Sequence, residues 1–289
     1  MANVTITTAA NFIPELWAAA ILDYAERKFS LKEKVTDLSD MLVNGGDTLH
    51  IPRVDEETAA TKSADTAVTY GANTDGKTDL SVDQHFYEAK RIEDIVRVQE
   101  SADLFNRYAQ AMGYALAKKV ENYLAVTIIQ SATANDVTLA ADNTPVAAEI
   151  RSGLQKLLDT GIDYTGGDTF LYCSPACYMS ILGLQEFYDA SRRGDGQNPN
   201  VSGTLGHIYG VPTFSSTDWG DTGATGEETA SFFTRDSVLF AMQITPRVQS
   251  AYDIDHLATS VVADVLFGAV LTQPAGDAAG QIVNFNNPA

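Results

Sequence analysis

The stretch LFNRYAQAMGYALAKKVENYLAVTI, residues 104–128, carries the strongest periodicity in the chain: Leu104, Tyr108, Met112, Leu116, Val120, Leu124 and Ile128 recur at every fourth position. This spacing predicts one helix of roughly 25 to 30 residues, on the order of 40 Å long, with Ser101 as its N-cap. Four residues overshoot one turn by about 40°, so the apolar stripe winds around the axis and successive parts must meet different partners. Such a helix is a spar through a body rather than a member of a bundle.

On the N-terminal side, Gly45-Gly46 leads into Asp47-Thr48-Leu49-His50-Ile51-Pro52-Arg53-Val54, whose alternation reads as a strand entered from a tight turn. From Asp55 to about Gln84 the large apolar residues thin out to Val68, Tyr70, Leu80 and Val82. A stretch of that composition cannot offset its own ordering entropy, and the alternation flanking it predicts two legs of an extended hairpin laid over another body. Further upstream, Ile13, Leu16, Trp17, Ala20, Ile21 and Tyr24 predict a helix over 12–29, with Asn11 as cap and Pro14 in the first turn.

Downstream, a helix is expected from Pro145, capped by Thr144, to a stop at Gly161. A strand follows over Thr169–Cys173, and a helix opens at Ser174-Pro175. Residues 191–206, with Arg192-Arg193, read as a loop, and so does Asp218–Thr229. Between them Ile208–Phe214 reads as one strand interrupted by Gly210 and Pro212. Ser237–Leu271 gives several strands, and the fold class is mixed α+β.

The chain has 289 residues, 45% hydrophobic and 20% charged, which is the composition of a folded protein with a real core. Its net charge of -19 disfavours tight nucleic-acid binding and adsorption to anionic membranes. It also keeps subunits apart until short-range contacts form. Cys173 and Cys177 are four residues apart and distant from all four histidines, so they predict partly buried thiols in a reducing compartment and no zinc site. The first residues lack a basic and an apolar region, and the run Val261 to Leu271 is broken by Asp264, so a soluble intracellular protein is expected.

Gly71-Ala72-Asn73-Thr74-Asp75-Gly76-Lys77-Thr78 matches the phosphate-cradling G-x-x-x-x-G-K-[ST] pattern. A working phosphate loop needs a buried strand before it and a helix after it. Here Thr66–Tyr70 alternates like a half-exposed strand, Asp79–Asp83 alternates again, and Asp75 would repel the anion; Asn-Thr-Asp-Gly is good hairpin-tip chemistry instead. Ser174 reads as a helix cap, because no Gly-x-Ser-x-Gly elbow surrounds it. Asp253, Asp255 and His256 read as a solvated strand face, and Lys118-Lys119 and Arg192-Arg193 as contacts to acidic neighbours. No catalytic, cofactor-binding or metal residue is assigned, and the chain is not read as an enzyme.

In this order the features resemble the major capsid proteins of tailed bacteriophages with the Hong Kong 97-type fold. Phe12–Trp17 and then Gly46-Asp47-Thr48-Leu49-His50-Ile51-Pro52 look like that family's N-terminal arm leading into its extended loop. The polar hairpin and long helix match its extended loop and spine helix. Leu171–Ala176 is similar to its strand followed by a Ser-Pro-opened helix, and Leu205–Ser216 to its axial-domain segment. Phe267-Gly268-Ala269-Val270-Leu271 with Gln273-Pro274-Ala275 resembles its returning final strand.

The resemblance implies an N-terminal arm at 1–45, an extended β-hairpin loop at 46–95, a peripheral domain with the spine helix at 96–172, an axial domain at 173–250 and strands returning to the peripheral domain at 251–289. It marks Trp17, Gly46, Asp47, Pro52, Gly210, Pro212 and Gly268 as assembly or structural residues. It implies self-assembly of hexamers and pentamers into an icosahedral virion shell around double-stranded DNA contacted non-specifically, with assembly in the host cytoplasm. Portal, scaffolding and decoration proteins would be its partners, with no membrane. Lys62 and Lys77 are the lysines that could serve a covalent cross-link like that of the family's namesake, but no partner motif accompanies them. The chain starts directly at the arm, so no long N-terminal scaffolding segment is expected unless one is cleaved before this numbering begins. Two alternatives stand beside this reading: a P-loop nucleotide hydrolase using Gly71 to Thr78, and an encapsulin-like compartment shell.

Overall fold

The computed structural model describes residues 30–42, 45–53, 59–68, 70, 76–94, 104–133, 135–184, 206–220, 224–272 and 281–288. The expected helix over 12–29 with Trp17, the cap Ser101, Gly71 to Asp75, the loop over 191–205 and Gln273 to Ala275 lie outside them.

The spar is present. Helix α1 (Leu104–Asn122, 19 residues) runs into a π-helical segment (Tyr123–Ile129, seven residues), which together give the length that the periodicity predicts. At the end of the widened segment the Gln130 N–H donates to the Ala125 carbonyl at 2.9 Å. The wider turn brings adjacent pairs inward, so Leu124, Ala125, Ile128 and Ile129 are all buried. Met112, Leu116 and Val120 continue the buried stripe toward the N-terminus, while Tyr108 stays partly exposed.

One face of this stripe packs on a four-stranded sheet. Its strands are β1 (Thr36–Asp37), β4 (Gln84–Glu93), β10 (Val238–Asp253) and β11 (Ala258–Leu271), in the order β1-β10-β11-β4. The expected several strands of the tail are thus two long antiparallel strands, with a bulged register between Met242 and Arg247, where Pro246 has no N–H to donate. Alternation sorts their side chains. Val261, Ala263, Val265 and Phe267 join Met112, Leu116, Val120 and Leu124 in the main core. On the opposite face, Leu266 and Val270 pack with Leu239, Ala241, Leu42, Leu80 and Val82.

A six-stranded sheet forms the second body, in the order β5-β12-β9-β6-β8-β7. It comprises β5 (Val137–Thr138), β6 (Thr169–Cys173), β7 (His207–Ile208), β8 (Val211–Ser215), β9 (Glu228–Thr234) and β12 (Ile282–Asn286). Helices α2 (Ala147–Asp159) and α3 (Pro175–Leu182) cover one face through Ile150, Leu154, Leu157, Cys177 and Ile181. The other face gives Phe170, Tyr172 and Phe233 to the main core, so every residue of β6 is buried and its sequence is a continuous apolar run. The close fit extends to Gly153, where a Cβ would stand 2.6 Å from the Phe285 ring.

Several local expectations change. Helix α2 begins two residues later than Pro145; Val146 is its N-cap, and the Glu149 carboxylate accepts the Val146 N–H at 2.8 Å. Ser174 does cap α3, its hydroxyl accepting the Cys177 N–H at 3.2 Å. Ile208–Phe214 is two strands rather than one, because Tyr209 and Gly210 both take positive φ (49° and 91°) and turn the chain as a two-residue hairpin. The acidic stretch 218–229 is a loop only in part. Trp219 is buried, with its Nε1 donating to Ser231 Oγ at 2.8 Å and its ring stacked on Tyr172, and Glu228-Thr229 already belongs to β9. Thr66 to Val68 are exposed and outside any strand. Cys173 and Cys177 are fully rather than partly buried.

The sheets also cut across the boundaries expected from sequence. β4 lies within 46–95 yet pairs with β11, β6 lies almost wholly before 173 yet pairs with β8 and β9, and β12 lies after 251 yet joins β9 and β5. Pairing between strands so distant in sequence leaves no local signal. Among the described residues, no helix is long and apolar enough to cross a membrane.

Candidate assembly site

Strands β2 (Thr48–Arg53) and β3 (Gly76–Ser81) form a two-stranded sheet of their own. The two strands pair antiparallel in unbroken register, from Thr48 opposite Ser81 to Arg53 opposite Gly76. The legs are therefore where the alternation places them. Beyond them residues 59–68 are exposed throughout, and Tyr70 is 92% exposed. An aromatic ring left in water forgoes about 2 kcal/mol of burial, and nothing among the described residues covers it.

The base, by contrast, is tied down. Gly45 and Gly46 take φ of 90° and 126°, conformations that favour glycine, and deliver the chain into β2. The Gly46 carbonyl accepts from Gln243 Nε2 at 2.9 Å and the Asp47 carbonyl from the Val82 N–H at 2.8 Å. Thr78 Oγ1 donates to the Thr272 carbonyl at 2.7 Å, and Leu80 is fully buried. Gly268 lets β11 pass beneath β3: a Cβ there would stand 2.1 Å from the Ser81 carbonyl oxygen. Pro52 sits opposite Lys77 near the outer end of the ladder.

The other marked residues are dispersed. Gly210 and Pro212 belong to the β7–β8 hairpin at the edge of the six-stranded sheet, where a missing N–H is tolerated, and Trp17 lies outside the described residues. Of the marked residues that are described, Gly46, Asp47, Pro52 and Gly268 are brought to the hairpin.

The same geometry removes the phosphate loop. Gly76, Lys77 and Thr78 are the first residues of a strand, not a turn opening a helix. Lys77 Nζ pairs with Asp79 Oδ2 at 2.9 Å, while His50 Nδ1 lies 2.6 Å from Asp79 Oδ1. The hydrogen bonds from His50, then Lys77, hold the Asp79 carboxyl below its ordinary value. Asp253, Asp255 and His256 form the solvated β10–β11 turn, with His256 Nδ1 2.8 Å from Asp253 Oδ2.

Three further features escaped the sequence reading. Asp264 is almost fully buried between β10 and β4, where Arg247 grips both its oxygens at 2.9–3.2 Å and His85 Nε2 lies at 3.0 Å. Burial pushes its carboxyl up, but the bonds from Arg247 and His85 outweigh that and leave it below the ordinary value. The signal was the charge itself, inside the apolar run from Val261 to Phe267. Glu121 of α1 accepts the Ser30 N–H at 2.7 Å and so fastens Ser30 to the spar. Gln243 gave no signal, since its role exists only once the hairpin is folded back.

A family profile described as phage capsid protein matches residues 87–280, more than half of the chain. No curated protein matches the sequence. Solved structures share its architecture. One from Mycobacterium phage Che8 is 21% identical with a TM-score of 0.70, over 88% of this chain and 90% of that one. The capsid of cyanophage P-SCSP1u is 15% identical with a TM-score of 0.69, over 89% and 87%. The capsid of a native GTA particle is 12% identical with a TM-score of 0.70, over 91% of each chain.

Proposed function

The chain belongs to the phage capsid protein family, and from that premise we propose that it self-assembles into the icosahedral head of a tailed phage around double-stranded DNA. Its role is structural, that of a major capsid protein, its fold is the Hong Kong 97-type α+β fold, and its place is the virion. In the proposed particle, hexamers and pentamers close the shell in the host cytoplasm, with portal, scaffolding and possible decoration proteins as partners. The four-stranded sheet with α1 forms the peripheral body, and the six-stranded sheet with α2 and α3 the axial body.

One observation carries this reading: a hairpin anchored firmly at its base projects an uncovered polar segment ending in an exposed tyrosine. A heterologous contact, in which one copy's extension lies on a different surface of the next, is how identical subunits form rings. Gly46, Asp47, Pro52 and Gly268 set the direction of the extension, Gly210 and Pro212 shape an axial edge, and Trp17 anchors the arm on a neighbour. The net charge of -19 opposes association and confines DNA without gripping it. Purified protein, alone or with a scaffold, forms closed particles in negative-stain micrographs, and more of them as salt screens the repulsion. A persistent monomer at high concentration and moderate salt contradicts the proposal.

A further inference from the structure

At one end of the six-stranded sheet, four buried side-chain oxygens have no hydrogen-bond partner: Asp136 Oδ1, Glu228 Oε2, Asn284 Oδ1 and Asn286 Oδ1. They come from β12, from β9 and from the residue leading into β5, three adjacent chains of one sheet. Strand register puts them on a common face. Asn286 is directly opposite Glu228. Asn284 is two residues earlier on β12, hence on the same side, whereas Val283 and Phe285 point into the core under α2 and α3. Val137 pairs with Phe285 and shares that second core, so Asp136 before it takes the first face.

The orientation of Asn284 is fixed independently. The residue is fully buried, and its Nδ2 donates to the carbonyls of Ile129, Gln130 and Ala132 at 3.2, 3.4 and 2.8 Å. Reversing the amide would press Oδ1 against three carbonyl oxygens, so Oδ1 is the end left open. Leaving a buried acceptor unpaired is unfavourable, a carboxylate more so, and here four occur together. Lys156 does not fill the gap. Its Nζ donates to the backbone carbonyls of Asp136 and Asn135 at 2.6 and 3.3 Å and makes no hydrogen bond to Asp136 Oδ1, although its charge is near enough to act on that carboxylate.

We propose that this sheet end binds a divalent calcium ion through the side-chain oxygens of Asp136, Glu228, Asn284 and Asn286. Two carboxylates balance the charge of the ion, and the two amide oxygens supply neutral hard ligands. Calcium accepts such mixed, irregular oxygen sets and completes them with water, whereas magnesium demands near-octahedral geometry. The ion would clasp β5, β12 and β9 together where the ladder is irregular between Phe285 and Asn286.

Binding is read in two ways on the purified full chain: thermal unfolding in millimolar calcium against chelator, and terbium luminescence excited through tryptophan. Trp219 bonds to Ser231, the strand partner of Asn284, and so stands close to the site. Calcium raises the melting temperature by several degrees and displaces terbium. The isosteric change Glu228→Gln weakens binding about tenfold or more, whereas Asn286→Asp, which adds a carboxylate, tightens it. An acidic surface gathers calcium without selectivity, so the variants decide. No calcium-dependent shift in the native chain overturns the proposal, and so does a shift that is the same in all three proteins. If Glu228→Gln does not fold, unchanged affinity in Asn286→Asp is sufficient to overturn it.

Discussion

The six-stranded sheet and the β2–β3 hairpin are opposites in how they are stabilised. The sheet buries both faces within its own chain, with Phe232 and Phe285 packed edge to face at 5.6 Å and every residue of β6 removed from water. The hairpin buries only its base and presents residues 59–68 and Tyr70 to solvent. The first is complete as a single copy. In the proposed shell the second acquires a reason for its length, because another copy lies beneath it. Stability and assembly should therefore be separable by mutation.

The largest expected effect is on the self-sufficient side. Phe232→Ala empties a fully buried ring site and should lower unfolding stability by about 3–5 kcal/mol, whereas Tyr70→Ala at the exposed hairpin should change it by less than about 0.5 kcal/mol. Denaturant titration of the two variants checks this. Comparable losses would erase the distinction between the two regions.

A smaller effect sits at the junction. Asp264→Asn removes the charge that Arg247 and His85 hold, and should cost about 1–2 kcal/mol at neutral pH, because both partners are half exposed and screened. The folded carboxyl lies below its ordinary value of 3.8, so its contribution is fully present above that value and is lost as pH falls through the lower folded value. The stability gap between native protein and variant should therefore close in acid. A gap that stays constant down to the lowest pH at which both fold would show that the pairing is not what stabilises the junction.

Much of this division was legible in the sequence, and for a physical reason. Every-fourth-residue periodicity from Leu104 to Ile128 and the thinning of large apolar residues after Asp55 are local signals, and each led to the correct element. What escaped depends on contacts across the chain. Trp219 sits in an acidic, glycine-rich stretch and is buried only because Tyr172 and Ser231 arrive from elsewhere. β12 enters the six-stranded sheet from the far end of the sequence, and no pattern within Ile282–Asn286 names its partners. Ile208–Phe214 reads as one strand interrupted by Gly210 and Pro212 rather than as a hairpin, because positive φ at Tyr209 leaves little trace in composition. The entry into β2 through Gly46 and Asp47 was legible through turn and strand chemistry. Gly268 has its reason only in the proximity of Ser81.

The most direct measurement replaces residues 54–75 by an Asn-Gly turn. The cut falls where Arg53 pairs with Gly76, so it keeps β2, β3 and the buried Leu80 and Val82 but removes the uncovered segment. Deleting as far as residue 84 would also strip those core side chains and confuse assembly with folding. The account predicts an unfolding midpoint close to that of the native chain, with closed particles absent from negative-stain micrographs at every salt concentration. Normal shells from the shortened chain would contradict it.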